Sequence, residues 1–187
     1  MSATNRGSQR HKDDYYATPP WCVKSLLPVL GSNPNRTVLE PCAGTGSISH
    51  TLLNEGFVAP SHLTQVELDV DRAKLCPQPC EVGDFLNLDI DKFRGVDVVI
   101  TNPPYALAQE FIDVCLTLET EVIMLLRLNF LGSQKRAQWH RNNPSDVYVL
   151  PKRPSFTGGG TDATEYAWFV WGPGRGNYYT VLEICDV

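Results

Sequence analysis

Asn102-Pro103-Pro104-Tyr105 directly follows the apolar run Val96-Asp97-Val98-Val99-Ile100-Thr101. A buried strand ending in this quartet offers an amino group two oxygen acceptors and a flat ring. Asn102 brings a side-chain oxygen. Pro104 lacks an N–H and holds Pro103 extended, which frees the Pro103 carbonyl from ladder pairing. Tyr105 supplies a face on which a planar group can stack. An exocyclic amine delocalises its lone pair into its ring and is a poor nucleophile until acceptors hold its N–H bonds. The quartet therefore suits methylation of such an amine. The two prolines by themselves are equally well read as an ordinary turn after a strand.

A second set of residues suits the donor of that methyl group. Glu40-Pro41-Cys42-Ala43-Gly44-Thr45-Gly46 follows the first apolar run, and its Gly-x-Gly lets a ligand approach the backbone with no side chain in the way. A Gly-x-Gly alone also serves tight turns. The six-residue dinucleotide fingerprint and the P-loop Gly-Lys-Ser/Thr are both missing from the sequence, which argues against a phosphate-bearing cofactor. Glu40 would repel phosphate and suits an ammonium group. Glu67 ends the second apolar run, where a carboxylate can accept both hydroxyls of a ribose. Asp84-Phe85, after a third short run, is placed to accept from an adenine amine and cover its ring. A nucleoside with an amino-acid end and no phosphate is S-adenosylmethionine, the cofactor expected here. Each acid alone reads as a solvated loop residue; three at successive strand ends point together.

The elements that must position these residues follow from periodicity. Strands are expected over 37–40, 62–68, 80–84, 96–101 and 121–126, with helices over 47–55, 71–75 and 106–117 between them. A helix over 21–30 precedes them, opened by Pro20, and Gly56 stops the one over 47–55. A helix over 133–141 is ended by Asn142-Asn143-Pro144, and 146–150, 165–171 and 178–184 read as late strands. The alternation predicts an α/β, Rossmann-like fold: a mostly parallel seven-stranded sheet with an antiparallel edge and helices on both faces. Ligands in such sheets sit beyond the carboxyl ends of the strands. Glu40, Glu67, Asp84 and Asn102 all fall there.

The 187 residues suit one domain with a real core. It is expected over 15–187, after a disordered polar arm at 1–14 that carries Arg6, Arg10, His11 and Lys12, and with no separate target-recognition domain. No stretch is apolar enough to span a bilayer and the start lacks a signal segment, which implies a soluble, cytoplasmic protein with no membrane partner. Six cysteines are too dilute for a disulfide scaffold. Cys76 and Cys80 flank Pro-Gln-Pro with no histidine beside them, so no metal is implied. The net charge of −5 excludes indiscriminate coating of nucleic acid. Residues 127–160, however, hold Arg127, Lys135, Arg136, Arg141, Lys152 and Arg153 against the single acid Asp146, a net +5 that leaves −10 elsewhere. Lys135, Arg136, Arg141, Lys152 and Arg153 are candidates for a nucleic-acid backbone; a solvated loop is the plain alternative.

In order, Tyr16-Ala17-Thr18-Pro19, Glu40-Pro41-x-x-Gly44-x-Gly46, Glu67, Asp84-Phe85, Asn102-Pro103-Pro104-Tyr105 and Arg153-Pro154-Ser155-Phe156 resemble the amino-group DNA methyltransferases that modify adenine at N6, especially small phage-borne members. The resemblance runs over residues 15 to about 171. It implies the class I S-adenosylmethionine-dependent methyltransferase fold and methyl transfer to adenine N6 in DNA, in the host cytoplasm if the chain is phage-encoded. It implies that Tyr16, Thr18 and Pro19 pack and bond the methionine end of the cofactor, Glu40 holds its ammonium beside Pro41, and Gly44 and Gly46 lie against it. Asn102, Pro103, Pro104 and Tyr105 form the catalytic loop, and Phe156 presses a flipped base against Tyr105. Larger relatives carry a target-recognition region for which this chain has no room. Sequence reading is then short, or comes from a homodimer or specificity partner.

Three other readings fit part of the pattern. Duplex and single-stranded DNA are both compatible, and an RNA adenine poses the same chemistry. Enzymes that methylate glutamine amides in release factors also use Asn-Pro-Pro-Tyr, but they carry a helical substrate domain and lack the Tyr-x-Thr-Pro start. A non-catalytic module on the same fold would not need an intact quartet.

Overall fold

The computed structural model describes residues 15–31, 33–156, 161–176 and 178–184. Short apolar runs form the centre of one sheet: β1 (Val38–Glu40), β2 (Leu63–Glu67), β3 (Cys80–Val82), β4 (Val98–Thr101) and β5 (Glu121–Arg127). Each of these pairs with its neighbours in parallel. β6 (Asp146–Val149), β7 (Tyr166–Trp171) and β8 (Tyr179–Val181) complete the order β3-β2-β1-β4-β5-β7-β6-β8. β7 is antiparallel to both β5 and β6, and β8 lies parallel to β6 at the edge.

Side chains alternate across the sheet, as pleating demands. Ile123, Leu125, Trp168 and Val170 pack on one face with α1 (Pro20–Lys24), α2 (Leu27–Leu30) and α3 (Ser47–Asn54). Val122, Met124, Leu126, Phe169 and Trp171 pack on the other, under α5 (Ala108–Leu116) and α6 (Ala137–Asn142). Helix α4 (Val70–Ala73) joins β2 to β3. Both faces are covered, which is why the central strands are buried along their whole length. The chain winds out from β1 in two directions, to β2–β3 and to β4–β5, and the crevice at that reversal is where such sheets bind ligands.

The expected α/β architecture is present, with local differences. All eight runs read as strands join the sheet, one more than the seven expected in it; backbone bonds from Val147 to the Tyr178 carbonyl and from Leu182 to the Val149 carbonyl seat β8 on the edge. The antiparallel strand consequently lies inside that edge. The helix expected over 21–30 is two helices. Pro28 has no N–H for the Lys24 carbonyl, and the Ser25 hydroxyl donates to the Trp21 and Cys22 carbonyls at 2.9 and 3.1 Å where the first helix ends. The helix expected over 133–141 begins as a tight turn, Gln134–Arg136, ahead of α6. The expectations for the arm at 1–14 and for Gly158-Gly159-Gly160 lie outside the described residues. Among the described residues no helix is long and apolar enough to cross a membrane.

Candidate active site

The loop after β1 turns through two glycines at positive φ, Gly44 at +56° and Gly46 at +77°. Gly46 is the N-cap of α3 and has no side chain to serve the free N–H groups of the first turn. Glu40 does so from the end of β1: its Oε2 accepts from the Ser49 N–H at 3.1 Å and from the Ser49 hydroxyl. Glu40 is only 1% exposed, and burial holds its carboxyl well above the usual carboxylate range, against the pull of the Ser49 hydrogen bonds. The carboxyl lines a cavity at the crevice, and its Oε1 takes no hydrogen bond from the described residues.

Tyr15 covers this loop. A Cβ built on Gly44 would stand 2.2 Å from Tyr15 Cε2, so the aromatic edge occupies the space that glycine leaves. The Tyr15 hydroxyl pairs with Thr45 Oγ1 at 2.7 Å, and the Arg72 guanidinium lies 5.0 Å over the ring. Arg72 also donates to Glu67 Oε1 through Nε at 2.9 Å and Nη2 at 2.8 Å. That oxygen takes the Asp69 N–H as well, while Glu67 Oε2 takes the Gly44 N–H at 2.7 Å. The carboxylate expected to take two ribose hydroxyls thus already serves four protein donors. With roughly four lone-pair positions on a carboxylate, only Oε2 keeps acceptor capacity. Behind Gly46, Pro77 and Cys76 leave no room for a Cβ. Hydrogen bonding with Cys80 lowers the Cys76 thiol from its ordinary value.

Asp84 caps the turn Phe85–Asn87, its Oδ1 accepting from the Leu86 N–H at 3.2 Å and Oδ2 from Asn87 Nδ2 at 2.6 Å. Phe85 is buried and stacks on Phe111 with centroids 5.8 Å apart and planes 11° apart. Both Asp84 and Phe85 line the cavity.

At the end of β4, Asn102 Nδ2 donates to the Tyr16 carbonyl at 3.3 Å and to Thr18 Oγ1 at 3.1 Å. The Tyr16 carbonyl can only accept, which fixes which end of the amide faces it. Asn102 Oδ1 is left buried and, among the described residues, without a partner. Pro103 is buried too, and among the described residues no backbone N–H reaches its carbonyl. A buried acceptor without a donor costs free energy that a ligand N–H would return. The Tyr105 ring lies 6.1 Å from Tyr16 and 5.7 Å from Tyr166, with the Arg127 guanidinium 4.9 Å over it. Arg127 Nε donates to the Tyr166 hydroxyl at 3.2 Å, which donates to Asp162 at 2.6 Å. Burial pushes the Tyr166 phenol up to about 12 and holds Tyr105 well above its ordinary value.

One cavity gathers Tyr16, Thr18, Glu40, Pro41, Gly44, Glu67, Asp84 and Phe85 with Asn102, Pro103 and Pro104. Pro19 and Gly46 are not among its lining residues; they shape the starts of α1 and α3. Phe156 packs 5.7 Å from Tyr16 and 5.1 Å from Tyr166. Sequence reading missed Tyr15, Arg72, Leu68 and Leu107 as lining residues. The signal for Leu68 was available, since an apolar residue 65% exposed directly after a strand-end acid invites a ligand face.

The basic candidates are scattered. Lys135 and Arg136 line a groove beside Tyr105, with Arg136 Nε donating to the Phe130 carbonyl at 3.0 Å. Lys152 lies 4.9 Å over the Trp21 ring, Arg153 is ion-paired with Glu165, and Arg141 holds Gln138 on α6. The segments after β5 and β6 lie at the same edge of the sheet as Asn102, so Lys135, Arg136, Lys152 and Arg153 flank the site, Arg153 partly neutralised, while Arg141 sits in the last turn of α6, ahead of β6.

No family model matches the chain. Two curated Haemophilus influenzae proteins, the type II methyltransferases M.HincII and M.HindII, are each 30% identical over 90 residues, 48% of this chain and 16% of theirs. The chain therefore spans under a fifth of the length of these relatives. Among solved structures, the modification subunit assigned to a type I restriction enzyme of Vibrio vulnificus aligns with a TM-score of 0.65 and 16% identity, over 89% of this chain and 49% of that one. A Pyrococcus horikoshii protein assigned as an RNA methyltransferase aligns at 0.67 and 18%, over 92% and 94%. A Listeria monocytogenes protein assigned as a class I S-adenosylmethionine-dependent methyltransferase aligns at 0.62 and 16%, over 88% and 64%. The fold is that of class I S-adenosylmethionine-dependent methyltransferases, which implies S-adenosylmethionine as the cofactor. The residues present fit it: the buried Glu40 keeps an oxygen that takes no hydrogen bond from the described residues and can meet the ammonium, Gly44 lies on the cavity wall, and Leu68 and Leu107 are exposed apolar faces.

Proposed function

We propose that this chain transfers a methyl group from S-adenosylmethionine to the exocyclic N6 amine of adenine in DNA, taking the base out of its stack. The observation that carries this reading is Asn102 Oδ1, a buried acceptor without a partner among the described residues, on a residue that lines the crevice next to Pro103. When bound, S-adenosylmethionine would supply a sulfonium methyl that the amine nitrogen takes, a new N–C bond forming as the C–S bond breaks and its electron pair leaves on the thioether sulfur.

Asn102 Oδ1 and the Pro103 carbonyl accept the two N6 hydrogens and so localise the nitrogen lone pair toward the crevice. Thr18 and the Tyr16 carbonyl hold the Asn102 amide in the one orientation that leaves Oδ1 available. Once nitrogen is tetrahedral and cationic its proton is acidic and passes to water, so no strong base is required. The remaining acceleration is positional, from holding donor and acceptor in a near-attack geometry. Glu40 binds the ammonium, and Tyr105 and Phe156 contribute to the pocket for the base. Extruding a paired base costs a few kcal/mol, and stacking returns ~1–3 kcal/mol. Lys135, Arg136 and Lys152 meet the phosphate backbone, with sequence choice short or shared with a second subunit.

Incubation with methyl-labelled cofactor and adenine-containing duplex DNA, single-stranded DNA, RNA and a glutamine peptide tests this. Label recovered as N6-methyladenine from DNA is expected. Label only in RNA or peptide would reassign the substrate, and label in none would overturn methyl transfer to these groups.

A further inference from the structure

Tyr15 and Tyr16 are neighbours in a non-helical segment and both line the crevice, but their rings meet different partners. Tyr15 fills the space over Gly44 and bonds Thr45, on the cofactor side. Tyr16 faces Tyr105, with centroids 6.1 Å apart and planes 16° apart, and Phe156 at 5.7 Å. The family resemblance would have Tyr16 pack on the methionine end of the cofactor. We infer instead that Tyr16 is the second wall of the base pocket, stacking on the target purine across from Tyr105.

The spacing supports this assignment. A planar ring held between two others needs two van der Waals separations of ~3.5 Å, about 7 Å in all. The Tyr16 and Tyr105 rings are already near-parallel, with centroids 6.1 Å apart, so a purine entering as they part to that opening meets two faces of one orientation. The Tyr16 carbonyl is fixed by Asn102 Nδ2, so the wall is tied to the residue that offers Oδ1 to the amine. A base seated between the rings therefore meets Asn102 in register. Phe156, which abuts Tyr16 and Tyr166, backs this wall and limits how far it swings.

This assignment rests on the adenine methyl-transfer reading, and the experiment separates the two. Binding of the full chain is measured to a single-stranded oligonucleotide with one adenine and to the same strand with an abasic position there. Thermal shifts with S-adenosylmethionine are recorded in parallel. Wild type is expected to prefer the adenine strand. Tyr16→Ala should weaken the adenine strand about 10- to 100-fold, the range for losing one base-stacking ring, and leave the abasic strand unchanged. Tyr16→Phe should restore wild-type affinity for the adenine strand and keep the wild-type cofactor shift. Tyr16→Leu, compared by circular dichroism, replaces the alanine variant if that one unfolds. Equal weakening on both strands, or loss of the cofactor shift, would return Tyr16 to the cofactor and overturn the inference. Wild type indifferent to adenine would defeat the inference together with the reading beneath it.

Discussion

Replacing Glu40 with Gln tests how the crevice holds a cation. In the free protein Glu40 is 1% exposed, and burial lifts its carboxyl well above the ordinary 4.5. An ammonium beside Oε1 favours the carboxylate, so ligand binding must expel a proton wherever the free carboxyl is still protonated. Affinity for S-adenosylmethionine should then rise with pH from the ordinary carboxylate range up to the lifted value, by at most about 10-fold per pH unit for one proton, and level off above it. The ligand's own amine loses charge near pH 8, roughly, so the window is read below about pH 7. The amide introduced by Glu40→Gln keeps the shape and an acceptor for the Ser49 N–H but cannot ionise. Losing a charge-assisted hydrogen bond of ~1.5–3 kcal/mol weakens binding about 10- to 150-fold at neutral pH. Calorimetry in two buffers of different ionisation enthalpy counts the protons released. Stability should move oppositely. A folded-state value above the unfolded one means that the ligand-free protein loses stability as pH climbs between them, and Glu40→Gln escapes that loss. A pH-independent affinity with no proton release, matched by the glutamine variant, would refute the role of Glu40.

Other substitutions probe other links. Thr18→Val removes one of the two acceptors of Asn102 Nδ2 and should lower kcat by about 2- to 10-fold, the worth of one net hydrogen bond, in steady-state assays of DNA methylation. Gly44→Ala places a Cβ into the Tyr15 ring at a backbone angle of +56°, so the loop must shift; the stabilisation by S-adenosylmethionine in a thermal scan should be lost. Trp168→Ala empties a fully buried site and frees the Cys22 carbonyl that its Nε1 meets at 2.8 Å. Denaturant melts should show a loss of about 3–5 kcal/mol.

The strand ends were legible because buried parallel strands read as short apolar runs and the polar residue that follows each one is conspicuous. Glu40, Glu67, Asp84 and Asn102 were placed at one edge on that basis, and the structure brings all four to one cavity. The partners of these residues were not legible. Nothing in the local pattern ties Tyr15 to Gly44, since an aromatic ring over a glycine is a contact between distant segments without periodicity. The Glu40–Ser49 bond had a clue: a helix capped by Gly46 must borrow an acceptor, and among the described residues the only acid before it is Glu40. Arg72 lies five residues past Glu67 on a helix one turn long, too short for its face to be read from sequence. The division of residues 21–30 into two helices turned on the missing N–H of Pro28, which the apolar pattern concealed.

A crystal structure of the protein with a non-reactive analogue of the cofactor and an adenine oligonucleotide would measure the decisive distances. The expected result has both Asn102 Oδ1 and the Pro103 carbonyl about 2.7–3.2 Å from N6 of an extruded adenine, with the donor sulfur on the far side of that nitrogen. An adenine bound with N6 facing water, or with Asn102 Oδ1 still unpartnered, would contradict it.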